Sequence, residues 1–272
     1  MSIKLVAIDI DDTLLNSDHA ITDKTVSTIK RAIQQGTHIV LCTGRPLAGV
    51  AEYLKQLEID GDNQYVITYN GALSQSVDGK ILKSHILNLD DFKRIKNFCD
   101  RNNVQFNVLD DQSNIYTTNH SINRFTVVQA YENFAGIQQI ESIAELASDF
   151  VMTKAVLVGE IDQINLVENQ FKIDFANQYY QIRSTPNFFE ILNKNANKGN
   201  ALQDLRRYLH LDLSEVMSIG DERNDLTMFE NSGTSVAMGN SSDFIKKHTD
   251  LVTTDNDHDG VAEAIEKFVL NH

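Results

Sequence analysis

Two short acidic segments carry the residues of this 272-residue chain that are best suited to chemistry. Asp9 and Asp11 follow an apolar stretch, and residues two apart in an extended chain face the same side. Far along the chain, a second apolar stretch precedes Asp221, Asn224 and Asp225. Converging carboxylates repel one another, and a hard divalent cation with oxygen ligands relieves that repulsion. Because no histidine or cysteine accompanies these groups, the pattern predicts a Mg²⁺ site.

The sequence excludes other common catalytic sites. The eight histidines are scattered without the spacing of zinc ligands, and the two cysteines form no C-x-x-C pair. No G-x-x-x-x-G-K-[ST] loop is present, which excludes a P-loop nucleotidase. Aspartates at strand ends also serve as helix caps and turn formers. Two acidic segments that both follow apolar stretches favour the metal site over that alternative.

Hydrophobic periodicity predicts the elements that position these segments. Residues 4–10, 38–43 and 65–69 are short apolar runs of the kind that form buried strands. Helices are predicted between them, and the first of these is capped by Thr22 and stopped by Gly36. Strands that alternate with helices form a parallel sheet with helices on both faces, and ligands bind at its carboxyl edge. Each of these strands ends in polar residues.

The middle of the chain has a different pattern. Between residues 84 and 187, helices and hairpin-like strands follow one another without regular alternation, which is typical of an α+β insert. From Lys198 the alternation of strand and helix returns. We therefore predict the α/β class, with a Rossmann-like parallel-sheet core of residues 1–83 and 188–272 that is interrupted by an α+β domain at 84–187.

Composition excludes several classes of protein. The chain is 42% hydrophobic and 23% charged, which is ordinary for a globular protein and excludes a disordered or fibrous one. The net charge of −14 and the lack of any Lys/Arg run argue against nucleic acid or an anionic membrane as a partner. The N-terminal stretch lacks the apolar region of a signal peptide. We expect a cytoplasmic protein, and the sequence leaves its oligomeric state open.

Four motifs in a fixed order give the chain a resemblance to a known family. They are Asp9-Ile10-Asp11-Asp12-Thr13, Thr43 in Leu-Cys-Thr-Gly-Arg, Lys198 before Gly199, and the stretch from Gly220 to Asp225. With them the chain resembles the haloacid dehalogenase-like (HAD) superfamily of aspartate-nucleophile phosphatases, specifically the Cof-type sugar-phosphatase group with a type IIB cap. The resemblance spans the whole chain and includes the Asn70-Gly71-Ala72 turn and residues 236–240. It implies the HAD fold, with the insert as a cap that excludes bulk water and supplies specificity.

The resemblance implies a role for each residue of the two acidic segments. Asp9 is the nucleophile that attacks phosphorus and forms an aspartyl-phosphate. Asp11 protonates the leaving oxygen and then deprotonates the water that hydrolyses the intermediate. Mg²⁺ is held by Asp9, by the main-chain carbonyl of Asp11 and by Asp221. Asn224 and Asp225 bind or orient the waters of the ion.

Further residues are implied to bind the phosphate or the substrate. They are Thr43, Gly44, Arg45 and Lys198. Alternatives stay open for some of them: Arg45 alternatively pairs with an acidic neighbour, and Lys198 is alternatively a solvated lysine at a helix start. Asn70 either fixes a turn or also touches substrate. Asp12 stands where the family usually has glycine, and we expect the chemistry to survive with one more negative charge near the site.

The expected activity is that of a Mg²⁺-dependent phosphatase acting on a small phosphorylated metabolite, above all a sugar phosphate. A phosphosugar mutase or phosphotransferase would use the same motifs, because the outcome depends on whether water or a sugar hydroxyl reaches the aspartyl-phosphate. A non-enzymatic sugar-phosphate sensor is a third possibility. It predicts decay of the catalytic pair, yet both Asp9 and Asp11 are present.

Overall fold

The computed structural model describes residues 2–61, 63–147 and 149–271. Within these ranges the strands are β1 Leu5–Ile8, β2 His38–Cys42, β3 Tyr65–Thr68, β4 Leu73–Ser76, β5 Ile81–Ser84, β6 Gln105–Leu109, β7 Ile115–Thr117, β8 Ile137–Gln139, β9 Lys154–Val158, β10 Tyr179–Thr185, β11 Phe188–Asn193, β12 Val216–Gly220, β13 Thr234–Ala237 and β14 Leu251–Val252. The α-helices are α1 Asp23–Gln34, α2 Ala51–Leu57, α3 Leu89–Asn102, α4 Arg124–Glu132, α5 Ile161–Asp174, α6 Lys198–Tyr208, α7 Leu226–Glu230, α8 Asp243–Lys246 and α9 Gly260–Ile265. None of the helices in these ranges has the length and apolar character of a membrane span.

The chain divides into two compact units. The first comprises the chain up to Gly44, Val50–Lys83 and the chain from Asn197 onwards. The second comprises Arg45–Gly49 and Ser84–Ala196. Each unit has its own sheet and its own cluster of buried apolar side chains.

The first unit is built on an eight-stranded sheet in the order β14-β13-β12-β1-β2-β3-β4-β5. The strands from β14 to β3 run parallel, and β4 pairs antiparallel with β3. Leu5 is in register with Val216 on one side and with His38 on the other, so β1 lies inside the sheet. All four residues of β1 are buried, as the continuous apolar run predicts for a strand covered on both faces.

Local signals explain the elements around this sheet. The side chain of Thr22 accepts a hydrogen bond from the N–H of Thr25 and so caps α1, as predicted. Gly36 follows the end of α1 with φ +88°, a conformation that favours glycine. Between β4 and β5 the N–H of Gly79 donates to the carbonyl of Ser76, which closes the turn that joins the two strands.

The second unit has a six-stranded sheet in the order β10-β11-β9-β6-β7-β8. Most of its pairs are antiparallel, but β7 and β8 are parallel. Its core is aromatic: Phe98 of α3 meets Phe171 of α5 edge-to-face at 4.9 Å between ring centroids, and Phe189 of β11 lies 5.7 Å from Phe171.

The second boundary between the units differs from the predicted one. The prediction placed residues 188–196 in the first unit, but β11 pairs with β10 and β9 in the second sheet. Phe188 is in register with Val158, and Ile191 with Ala155. Period and composition identify a strand but not the strand that it pairs with, so the boundary lies at Ala196 rather than after residue 187.

Candidate active site

The proposed nucleophile follows the innermost apolar strand of the first unit. Strand β1 lies between β12 and β2, and Asp9 directly follows its last residue. The N–H of Asp9 donates to the carbonyl of Ile219 at 3.0 Å, and the side chain of Asp9 is buried. Asp9 is therefore held at the carboxyl edge of a parallel sheet, the edge at which such sheets bind ligands.

The second acidic segment follows β12. Gly220 ends this strand and leaves no room for a side chain, because a Cβ there would lie 2.5 Å from Cγ of Asp225. Oδ2 of Asp225 accepts from the N–H groups of Asp221 and Glu222, at 2.9 and 3.1 Å. Oγ1 of Thr13 donates to Oδ1 of Asp221 at 2.7 Å. This last bond joins the two acidic segments directly.

Lys198 is the first residue of α6, and it is fully buried. The side chain of Asn197 caps the helix by accepting from the N–H of Asn200 at 2.8 Å. Nζ of Lys198 lies 2.7 Å from Oδ1 of Asp9 and 2.7 Å from Oδ1 of Asp225. A cation at a helix N-terminus opposes the helix dipole, so these carboxylates are what stabilises it there. The interpretation of Lys198 as a solvated lysine is wrong.

The charges of this cluster are unbalanced. Asp9, Asp221 and Asp225 each offer a carboxylate oxygen, and these oxygens all lie within 4.8 Å of one another beside a single lysine. Burial, followed by the charge of Asp225, raises the pKa of Asp9 well above its usual range and the pKa of Asp221 to about 7. Burial alone would lower the pKa of Lys198, but Asp225 and Asp9 raise it. The protein alone therefore leaves an excess of negative charge.

The groups present fit a hard divalent cation. Carboxylate and amide oxygens are the ligands that Mg²⁺ prefers, and within the described part of the chain no histidine or cysteine belongs to the cluster. Oδ1 of Asn224 is buried and has no hydrogen-bond partner among the described residues. A bound cation or its water would supply the missing partner and offset the excess negative charge.

Asp11 is placed differently from Asp9. The strand ends at Ile8, and a turn at Ile10–Leu14 follows, in which the N–H of Leu15 donates to the carbonyl of Ile10 at 2.9 Å. Within this turn Asp11 keeps an extended backbone, with φ −72° and ψ 130°. Asp11 is exposed, and its carboxylate does not belong to the group of oxygens that lie within 4.8 Å of one another. The side chain of Asp11 is therefore not one of the close carboxylates of this cluster, and its role as acid and base stays a prediction.

Asp12 occupies a left-handed position, with φ 57°. Glycine adopts this conformation without steric cost, and aspartate is one of the few other residues that tolerate it. The carbonyl of Asp12 accepts from Nδ2 of Asn240 at 2.8 Å, which ties the turn to the loop after β13. The departure from glycine is thus accommodated by the backbone.

Thr43 and Gly44 lie together at the end of β2. Thr43 is buried; its N–H donates to the carbonyl of Ile67 and its carbonyl accepts from the N–H of Asn70, both at 2.9 Å. A Cβ at Gly44 would lie 2.9 Å from Nδ2 of Asn70, so a side chain at this position would displace the amide of Asn70. Arg45 is half-buried and belongs to the second unit, so its part in substrate binding stays a prediction.

Some contacts of the site were not singled out from the sequence. Thr13 bonds Asp221, Asn240 bonds the turn at Asp12, and Oδ1 of Asn70 accepts from Nδ2 of Asn224 at 3.2 Å. All three residues lie inside the stretches that carried the family resemblance. Their presence there was a usable signal, but only the folded chain shows which partner each one binds.

Comparison with known proteins agrees with this geometry. Residues 6–265 match the family model described as haloacid dehalogenase-like hydrolase. The chain is 37% identical to a Bacillus subtilis protein named a putative phosphatase, over 98% of both chains. It is 35% identical to a putative phosphatase of Streptococcus pyogenes over the full length of both. A solved haloacid dehalogenase-like hydrolase of Bacteroides thetaiotaomicron, 29% identical, superimposes with a TM-score of 0.86 over 98% of this chain and 99% of that one.

These similarities cover nearly the whole chain and confirm the predicted fold class. They also confirm the predicted enzyme class, a phosphatase that acts on phosphoric monoesters. The chain belongs to the haloacid dehalogenase-like hydrolase family.

Proposed function

We propose that the chain hydrolyses small phosphomonoesters, sugar phosphates in particular, with Mg²⁺ and through an aspartyl-phosphate formed on Asp9. The observation that carries the proposal is the group of three close carboxylates around one buried lysine. A structural ion pair needs one partner for each charge. The excess of carboxylates over lysine in this cluster is instead what a site for a cation and a phosphate requires.

The ion would be held by Asp9, by the main-chain carbonyl of Asp11 and by Asp221. Asn224 offers a buried oxygen without a hydrogen-bond partner in the described ranges. Both oxygens of Asp225 already have partners, so we assign Asp225 to holding Lys198 and the backbone of the loop, next to the ion. When bound, Mg²⁺ neutralises the repulsion between the carboxylates and an incoming phosphate dianion.

In the first step an oxygen of Asp9 attacks phosphorus, the Asp9 O–P bond forms and the bond to the leaving oxygen breaks. Asp11 gives that oxygen its proton, so an alcohol departs. In the second step water attacks phosphorus and Asp11 takes a proton from it. The Asp9 O–P bond then breaks, which releases inorganic phosphate and restores Asp9.

Binding of the phosphoryl group falls to residues around Asp9. Lys198 already lies 2.7 Å from the Asp9 carboxylate, so a phosphoryl group on Asp9 would lie beside its ammonium. We assign Thr43 and Gly44 to the same task and Arg45 to the substrate. The insert, which the resemblance describes as a cap, would supply further contacts to a small metabolite. The two cysteines are free thiols, as suits the reducing cytoplasm in which we place the enzyme.

The proposal is tested by incubating the chain with a panel of sugar phosphates, polyol phosphates and nucleotides, with Mg²⁺ and with a chelator. We expect Mg²⁺-dependent release of inorganic phosphate that is concentrated on a few small sugar phosphates. Isomerised sugar phosphate without free phosphate would show a mutase instead. Tight binding without turnover in folded protein would show a sensor, and either result would overturn the hydrolase.

A further inference from the structure

The turn after β3 has an unusual backbone. Tyr69, Asn70 and Gly71 follow one another with φ values of 51°, 54° and 92°. A positive φ is uncommon outside glycine and is most strained for a bulky residue such as tyrosine. All three residues are buried. Such a conformation persists only where the surrounding structure imposes it, so the contacts of this turn indicate its structural role.

The turn touches the segments that carry three of the four motifs. The N–H of Asn70 donates to the carbonyl of Thr43 at 2.9 Å. A Cβ at Gly71 would lie 2.2 Å from the carbonyl oxygen of Asn197, so the turn packs directly against the start of α6 and Lys198. Oδ1 of Asn70 accepts from Nδ2 of Asn224 at 3.2 Å. One short turn thus joins loops that lie far apart in the sequence.

The contact between Asn70 and Asn224 determines which polar atom of the Asn224 side chain stays available. A carboxamide has one donor end and one acceptor end. Asn70 takes up the donor end, and the acceptor end of Asn224 is the buried oxygen without a hydrogen-bond partner among the described residues. Asn224 immediately precedes Asp225, one of the three close carboxylates, so a fixed acceptor there is next in the chain to the candidate metal site.

We propose that Asn70 is a positioning residue that holds Asn224, so that its Oδ1 is available to Mg²⁺ or to a water on the ion. The inference rests on the proposed function, because it assigns Asn70 to the Mg²⁺ site named there. The alternative is that Asn70 serves only as a turn residue that tolerates a positive φ. The two roles are separable, since one needs the side chain and the other needs only the backbone conformation.

Asn70→Gly separates them. Glycine adopts a positive φ freely, so this variant keeps the turn and removes only the side chain. We expect the melting temperature of this variant to lie within a few degrees of the wild-type value. We expect it to bind Mg²⁺ about 10-fold more weakly, as measured by calorimetry on the substrate-free protein. Asn103→Gly is the matched control: Asn103 has φ 49° but lies at the end of α3 in the second unit, and its variant should bind Mg²⁺ like the wild type.

A double-mutant cycle completes the test. Asn224→Ala should weaken Mg²⁺ binding about as much as Asn70→Gly, and the double variant should bind no more weakly than either single variant, because both changes remove the same interaction. Wild-type affinity in Asn70→Gly, or losses that simply add in the double variant, would overturn the inference and leave the proposed function intact. A folded wild-type chain that binds no Mg²⁺ would overturn the proposed function and this inference together.

Discussion

The two units each bury a lysine against carboxylates, and the two clusters are built differently. In the second unit Nζ of Lys154 lies 2.8 Å from Oε1 of Glu190, and each residue is only 5% exposed. In the first unit Lys198 faces Asp9 and Asp225, and Asp221 lies close to both carboxylates. The cluster of the second unit places one lysine against one carboxylate, and the cluster of the first unit places one lysine against three carboxylates.

The difference shows that burial of charge does not by itself mark a site. A pair such as Lys154 with Glu190 is neutral, and its two partners compensate each other. In the other cluster burial and mutual repulsion raise the pKa values of Asp9 and Asp221, which is the signature of groups held together against their electrostatic preference. Excess charge, rather than buried charge, distinguishes the first unit from the second.

The largest effect is expected from removing the proposed nucleophile, Asp9. Asp9→Asn keeps the shape and abolishes the attacking carboxylate, so kcat should fall by at least about 10³, or roughly 4 kcal/mol of barrier. Steady-state release of phosphate at saturating Mg²⁺ measures the loss. Glu190→Gln is the control in the balanced pair and should keep the wild-type kcat. Near-normal turnover by Asp9→Asn would contradict the covalent mechanism.

For the same two variants, the order of the effects on stability should be the reverse of the order of the effects on kcat. Glu190→Gln leaves Lys154 buried without its counter-charge, so the free energy of unfolding should fall by about 3 kcal/mol. Asp9→Asn relieves repulsion while Lys198 keeps Asp225, so its unfolding free energy should be unchanged or higher. Denaturant unfolding of both variants without metal checks the contrast. Two equal losses would mean that the clusters do not differ as described.

A third comparison places the same substitution in both units. A Cβ at Gly220 would lie 2.5 Å from the Asp225 carboxyl group, whereas the nearest atom to a Cβ at Gly136 is Oδ1 of Asn114 at 3.3 Å. Gly220→Ala should therefore cost about 2 kcal/mol of stability and displace a group that holds Lys198. Gly136→Ala should cost about 0.5 kcal/mol or less. Thermal unfolding shows the difference, and equal costs would disprove the tight packing at Gly220.

The smallest effect is expected at Asp12. Asp12→Gly suits the positive φ and removes one negative charge from the neighbourhood of Asp221, so the site should attract a cation slightly less strongly. Mg²⁺ affinity should fall by about twofold, as expected for a change of about 0.5 kcal/mol near the surface. A titration of activity with Mg²⁺ measures it. A tenfold change in either direction would show that Asp12 has a direct part in the site.

Most of the fold followed from hydrophobic periodicity, and the failures have physical causes. The strand predicted at residues 38–43 is present as His38–Cys42 and the predicted cap at Thr22 is formed, because a continuous apolar run and an N-cap residue are local signals. The short strand Ile137–Gln139 was missed, since a polar segment of three residues has no period to detect. The unit boundary was misplaced after residue 187 because strand pairing is a property of the sheet and not of the strand.

For the site, the residues were predictable but their arrangement was only partly so. The acidic segments and Lys198 stood out by residue type and by their position after apolar strands. The exposure of Asp11 depended on where β1 ends and on the wide turn that follows it. The contact between Asn70 and Asn224 joins residues that are 154 positions apart, and no local pattern contains it.

The most direct test of the central claim is a calorimetric titration of the metal-free chain with Mg²⁺, beside Asp221→Asn and Glu190→Gln. The excess of carboxylates around Lys198 predicts one Mg²⁺ site in the wild type, an unchanged site in Glu190→Gln and a site too weak to measure in Asp221→Asn. Absence of Mg²⁺ binding by the folded wild type, or equal binding by Asp221→Asn, would contradict the claim that this excess of negative charge is a cation site.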